Sequence, residues 1–384
     1  RAAEPLIKPL GVDGIPVGGT PCMPNELEDE IEAWVADHLQ GDLAEGTVAT
    51  YQRNWERWLW WVKRHAWPTP LLLGETRAER IGDENKLLAF VGFHGWMGRS
   101  PAALRSFLFA IQAAHKRAGA GDPLEAKDRL WLLLGHLQKG MQPSLRKLGA
   151  TPDMLKWMAG DLGARRRRLG ESGTEGLDSA MLNAAAQHMF FFLCRASECA
   201  NSGGVDPEKV VRGVDLALKS GGLPCSDSGM RADEVTRQFR KTKSDQQAFG
   251  SSRTHYRTGD AVLCPVESIE LLRSWAPERF GKGPEAGLPL FRWKNGTVLK
   301  REEIQAALQK AAEAVGLPPR RFMSHSLRIG GASALYHATN DIEIVKRFGR
   351  WSSSAVHSYL WESADQYRGV SSKMANDRAV LHYT

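Results

Sequence analysis

Four short strings in the second half of the chain hold side chains suited to breaking and remaking a phosphodiester. Arg195 and Glu198 lie in "CRASECA", Lys243 in "RKTKSDQ", His325 and Arg328 in "HSLRIGGAS", and Trp351 and Tyr359 in "FGRWSSSAVHSYL". Two arginine forks can grip the nonbridging oxygens of a phosphate and stabilise the charge that builds in the transition state. A tyrosine phenolate can attack phosphorus and keep the bond as a phosphotyrosyl ester. Free tyrosine titrates at about pH 10, so neighbouring arginines and a base such as His325 are expected to draw its proton off. Lys243 is a compact ammonium that can protonate a departing sugar oxygen, which a guanidinium cannot do because it holds its proton too tightly. Lys241 and Tyr367 compete for the same two tasks. Nothing in this set asks for a metal or another cofactor, and the histidines show no zinc spacing.

Several predicted elements must bring these residues together. "LDSAMLNAAAQHMFFFLCRASECANS" reads as a long apolar helix with Arg195 and Glu198 on one face near its end. A charge placed directly after "MFFFLC" is costly to bury unless it is paired or used. The glycine-rich stretch after it alternates in short runs and predicts a small antiparallel sheet with hairpin turns, Lys243 in one of them. Helices resume at "PVESIELLRSWAPE" and "KREEIQAALQKAAEAVG" and carry on through the segment holding His325, Arg328, Trp351 and Tyr359. Gly330 and Gly331 are expected to let the histidine helix pack closely. His255, His337 and His357 read as ordinary surface or core histidines.

The first part of the chain has a different texture. Residues 1–23 are broken by Pro5, Pro9, Pro16 and Pro21 and read as a flexible arm. "PNELEDEIEAWVADHL" predicts an amphipathic helix with acidic residues at its start. The next, "AEGTVATYQRNWERWLWWVKRHAW", places Val48, Tyr51, Trp55, Trp58, Leu59 and Val62 on one face, with Arg53, Arg57, Lys63 and Arg64 around it. The tryptophans suit a small helical core, and the arginines suit phosphate contact on the opposite face. Three further helices, at "DENKLLAFVGFHGWM", "SPAALRSFLFAIQAAHKRAG" and "EAKDRLWLLLGHLQKGMQ", complete a bundle over 24–147. A second domain is expected over 148–384, with the basic run Arg165, Arg166, Arg167, Arg168 near its start.

Composition narrows the function classes. Lys plus Arg exceed Asp plus Glu by 51 to 44, a net charge of +7, which leans toward a polyanionic partner. No apolar stretch approaches the roughly 20 residues that span a bilayer, and no signal-peptide core is present. The five cysteines form no CxxC pair and read as free thiols in a reducing compartment. The chain opens on Arg1, as a protein missing its natural start would.

In order and content the four strings resemble the boxes of the tyrosine recombinases, the phage integrase family, whose chemistry type IB topoisomerases share. The short "GRW" form resembles the recombinases of eukaryotic crypton and DIRS transposons. The resemblance implies a mainly α protein: an all-helical core-binding bundle that clamps DNA, and an α+β catalytic domain with a small antiparallel sheet. It implies Arg195 and Arg328 as phosphate ligands, Lys243 as general acid, His325 as base or proton partner and Tyr359 as nucleophile. It also implies Glu198 as an orienting residue and Trp351 as an indole donor that packs the tyrosine segment. Family spacing favours Tyr359 over Tyr367 and Lys243 over Lys241. The implied activity is site-specific recombination or integration of double-stranded DNA through a 3′-phosphotyrosine, by a homotetramer on two sites, without a cofactor. Such a protein works inside the cell on DNA, in the nucleus if the source is eukaryotic and otherwise in the cytoplasm. The competing readings are a silent DNA-binding protein derived from a transposon recombinase and a type IB topoisomerase-like enzyme.

Overall fold

The computed structural model describes residues 45–140, 146–168, 175–225, 231–241 and 250–361. The predicted arm and first helix, Cys22, Lys243 and Tyr367 lie outside these residues. The chain divides into two compact units, Arg1–Pro143 and Ser144–Thr384.

The first unit is helical: α1 (Glu45–Arg64), α2 (Arg77–Trp96), α3 (Pro101–Arg117) and α4 (Asp128–Gly140). Helix α2 begins six residues ahead of the predicted stretch because "TRAE" is a capping box. Thr76 accepts from the Glu79 amide and the Glu79 carboxylate takes the Thr76 amide. Ser100 caps α3, with Pro101 in its first turn. Trp58, Trp61, Leu87, Phe90, Leu108, Ile111 and Leu130 form the core. The buried stripe of α1 is Asn54, Trp58, Trp61 and Val62, while Leu59, predicted inward, is 39% exposed. The helix is therefore rotated toward Trp61. The indole of Trp58 donates to the Pro70 carbonyl at 2.8 Å. That bond leaves this fully buried ring with no unmet polar atom.

The second unit surrounds a four-stranded antiparallel sheet, ordered β2-β1-β3-β4, of β1 (Leu216–Ser220), β2 (Leu223–Pro224), β3 (Glu234–Phe239) and β4 (Ser251–Tyr256). Register is fixed by pairs such as Leu216 with Arg237 and Val235 with His255. Around it lie α5 (Pro152–Arg168), α6 (Glu175–Phe191), α7 (Pro265–Trp275), α8 (Arg301–Ala314), α9 (Ser326–Thr339) and α10 (Ile342–Gly349). Met181, Phe192, Val235, Ile269, Phe291, Leu308, Phe322 and Leu327 share the main core. A smaller cluster of Leu193, Ala332, Val345 and Val356 supports Trp351, Tyr359 and Leu360.

Close approach to α9 depends on its glycines. A Cβ on Gly330 would fall 1.9 Å from the Ala150 carbonyl oxygen, and one on Gly331 2.0 Å from that of Phe190. Both oxygens belong to backbone that is itself packed, so neither can yield cheaply. Gly331→Ala is expected to cost roughly 2–3 kcal/mol of stability, read as a shift in the urea midpoint. An unchanged midpoint would refute this packing.

Candidate active site

Helix α6 ends at Phe191, so Arg195 and Glu198 do not ride on its face as the periodicity predicts. They occupy the 3-10 turn Ala196–Glu198, which Arg195 precedes. The chain leaves the helix through Leu193 at φ +50, a left-handed conformation uncommon for leucine. The Leu193 carbonyl takes donors from both Arg328 and Arg350, which holds that conformation in place.

Glu198 is 2% exposed and joins most of the site. One carboxylate oxygen accepts from the Arg195 guanidinium at 3.1 Å, the other from the Arg195 amide at 2.9 Å and from Arg350 at 2.7 Å. Its carbonyl accepts from Arg237 at 3.1 Å. Burial pushes the carboxyl pKa up, but the surrounding guanidiniums, Arg350 first and then Arg237, Arg328 and Arg195, outweigh it and hold the pKa below normal. Glu198 stays ionised inside the protein.

Arg350 and Arg237 carry no functional role in the sequence reading. Arg350 follows α10 in a left-handed conformation at φ +61. Its guanidinium lies 3.6 Å from the Phe239 ring centre, and it donates to the Phe192 carbonyl at 3.4 Å. Arg237 is almost wholly buried on β3 and reaches His188 at 2.9 Å, Cys194 at 2.8 Å and Cys199 at 3.5 Å. By composition this histidine and two cysteines could hold a metal, since their donor atoms lie within 4.8 Å of one another. A guanidinium already donates to all three, so the site as built pairs them with Arg237 and does not fit a second cation. Arg237 was legible in principle: in "EVTRQF" it shares the apolar phase with Val235 and Phe239. Only the "GRW" string hinted at Arg350.

The remaining predicted residues meet at the start of α9. His325 immediately precedes that helix, and Arg328 is fully buried in its first turn. The Arg328 guanidinium stacks 4.1 Å from the Trp351 ring centre and 5.7 Å from that of Tyr359. It donates to the carbonyls of Leu193 and of Gly349, the latter at 2.7 Å. Tyr359 ends the 3-10 turn Ser354–Tyr359, its ring 5.0 Å from that of His325 and 4.8 Å from that of Trp351. Gly349 makes the Trp351 position possible, since a Cβ there would lie 1.7 Å from the indole. The structure thus brings together Arg195, Glu198, His325, Arg328, Trp351 and Tyr359. Of the hairpin, Lys241 is described, two residues past the end of β3 and in no strand.

Two ionisations shape this arrangement. The His325 pKa falls to about 4, through burial first and then the positive charges of Arg328, Lys147 and Arg195. A neutral imidazole therefore faces Tyr359 at pH 7. Arg328 is lowered to about 10 by burial and by Arg195, against the pull of Glu198.

The predicted DNA contacts fall on α1 of the first unit and on α5 of the second. Arg57 bonds Asn54 at 2.7 Å and lies 5.4 Å from the Phe107 ring centre, and Arg64 lies 5.9 Å from that of Trp60. Arg53 donates to the Ala49 carbonyl at 3.3 Å. Arg165, Arg166, Arg167 and Arg168 form the end of α5, and their side chains lie outside the description.

This fold is that of the tyrosine recombinases. The chain is similar to XerH site-specific recombinase bound to difH substrate in a pre-cleavage complex: 14% identity, TM-score 0.51, covering 85% of this chain and 79% of that one. It is also similar to XerH on a palindromic difH substrate in a post-cleavage complex, at 15% identity and TM-score 0.53, covering 86% and 80%. No protein-family model and no curated protein matches the chain. None of the described helices is long and apolar enough to cross a membrane.

Two measurements test this electrostatic core. Arg350→Met strands a buried carboxylate and should cost about 3 kcal/mol, and adding Glu198→Gln should recover part of that loss in a double-mutant cycle. Strict additivity would show that the two side chains do not interact. Acid is the second test. His188, buried beside Phe192, also titrates at about 4 instead of 6.5. Between pH 6.5 and 4 the unfolded chain binds protons that the folded one refuses, so stability falls as pH falls through that window. The Tm is expected to drop by several degrees from pH 7 to 5, and less so in His325→Gln; an equal drop in both would exclude His325 as a contributor.

Proposed function

We propose that the chain is a site-specific DNA recombinase or integrase that cleaves and rejoins double-stranded DNA through a 3′-phosphotyrosyl intermediate. The observation that carries this reading is the contact of Tyr359 with His325, Trp351 and the Arg328 guanidinium at once. The four residues come from three separate segments, and no packing requirement calls for a histidine and an arginine both beside one tyrosine ring. The shared fold with XerH, seen bound to its difH substrate, supports DNA as the partner.

The chemistry follows from the residues. The Tyr359 hydroxyl attacks phosphorus as its proton passes to the neutral imidazole of His325. A bond forms from the tyrosine oxygen to phosphorus, and the bond from phosphorus to the 5′ oxygen breaks. Lys243 supplies the proton to that leaving oxygen, and Lys241 is the alternative donor. Arg195 retains side-chain exposure of 22% and can turn unused donors toward a nonbridging oxygen. Arg328, with two donors on carbonyls, contributes positive potential and its remaining N–H groups. Trp351 packs the nucleophile and offers its indole N–H. Glu198 orients Arg195. Rejoining runs the same steps backwards, with a free 5′ hydroxyl as attacker. Work as a homotetramer on two DNA sites follows from this reading, and no cofactor enters any of its steps.

The test is a nicked suicide duplex built from DNA flanking the gene. Wild type should form a denaturant-resistant adduct, and Tyr359→Phe should form at least about 1,000-fold less. Equal adduct from both would move the nucleophile elsewhere. DNA binding without any adduct would favour the silent DNA-binding protein, and relaxation of arbitrary supercoiled plasmid the topoisomerase.

A further inference from the structure

We propose that Arg146 is a positioning residue that clamps the Tyr359 turn into the active site of its own subunit, an inference that rests on Tyr359 as the nucleophile. Arg146 lies far from every box in the sequence, yet its guanidinium donates to the Ser358 carbonyl at 2.8 Å and to the Leu360 carbonyl at 2.6 Å. Those carbonyls belong to the two residues that flank Tyr359. The same guanidinium stacks 4.2 Å from the Trp361 ring centre. No other described side chain spans the tyrosine on both sides with charged donors.

The clamp is itself anchored. Arg321 donates twice to the Arg146 carbonyl, at 3.2 and 2.6 Å, and its guanidinium lies 5.9 Å from the Trp361 ring centre. The segment then runs to the histidine helix: Leu148 donates to the Arg321 carbonyl at 3.1 Å and Ala150 to the Ser326 carbonyl at 2.8 Å. Gly149 makes the approach possible, since a Cβ there would sit 2.9 Å from the Gly330 Cα. Residues 146–150 therefore tie the backbone that carries His325 and Arg328 to the backbone that carries Tyr359.

The turn needs such a tie. Within Ser354–Tyr359 only Val356 is buried, so apolar contact alone holds the segment weakly. The other polar anchors are few: the Ser333 hydroxyl, which donates to the Tyr359 carbonyl at 3.3 Å and accepts from the Trp361 amide at 3.0 Å, and His337 on the Trp361 carbonyl at 2.9 Å. Charged donors make the stronger bonds. A misplacement of about 1 Å at the nucleophile is enough to slow the chemistry severely.

The experiment has two arms on the full chain. Without DNA, hydrogen exchange at the Leu360 and Trp361 amides should speed up about tenfold in Arg146→Ala while α9 amides stay unchanged. With a saturating suicide duplex, adduct formation by that variant should slow about tenfold at unchanged DNA affinity, and Arg146→Lys or added ethylguanidinium should restore part of the rate. Unchanged exchange together with weakened DNA affinity would make Arg146 a phosphate contact and overturn the clamp. If Tyr359→Phe still forms the adduct, the nucleophile assignment fails, and the exchange arm judges the clamp by itself.

Discussion

A buried carboxylate surrounded by arginines is the constraint on which the site depends. Glu198 is almost inaccessible to water yet remains charged, because Arg350 and Arg195 bond its oxygens and Arg237 bonds its carbonyl. An ion stripped of water is tolerated only when its partners replace the lost hydration. The arrangement ties three separate pieces of chain at one residue: its carboxylate joins the turn after α6 to the turn after α10, and its backbone carbonyl takes Arg237 of strand β3. Arg195, the most exposed of these arginines, is the one left free to face outward.

From that centre the polarity falls off in an ordered way. Arg328 sits under the aromatic rings of Trp351 and Tyr359, desolvated and next to other cations, and is held charged by Glu198. His325 stands one step further out and is kept neutral by burial and by the cations around it. The buried negative charge therefore stabilises the arginines, and burial together with the arginines keeps the imidazole neutral. A phenol placed against this group meets both an imidazole and positive potential.

Much of this was legible before any coordinates. The sheet falls where the alternating runs place it, α7 and α8 match their predicted stretches, and the glycines of "RIGGAS" make the close contacts expected of them. Errors came where tertiary packing overrode local pattern. Periodicity carries α6 through Arg195, whereas the helix stops at Phe191 and the turn that follows aims the Glu198 carboxylate at Arg350 and its carbonyl at Arg237. Leu59 shared a helical face with Trp58 on paper, but the larger ring of Trp61 took the inward position. The "TRAE" box lies ahead of the apolar run that sets the predicted start, and its reciprocal caps begin the helix at Arg77.

The sequence by itself determined which chemical groups exist and in what order, and chemistry limits what an arginine, histidine and tyrosine set can do to a phosphodiester. It also determined local matters such as caps, strands and helices, since these depend on neighbours within a turn. Tertiary structure alone decided that Arg350 meets Glu198, that Arg237 lies among His188 and two cysteines, and that Arg146 reaches both carbonyls beside Tyr359. Such contacts join residues far apart in the chain, and their geometry is set by the packing of whole elements, which no local pattern encodes.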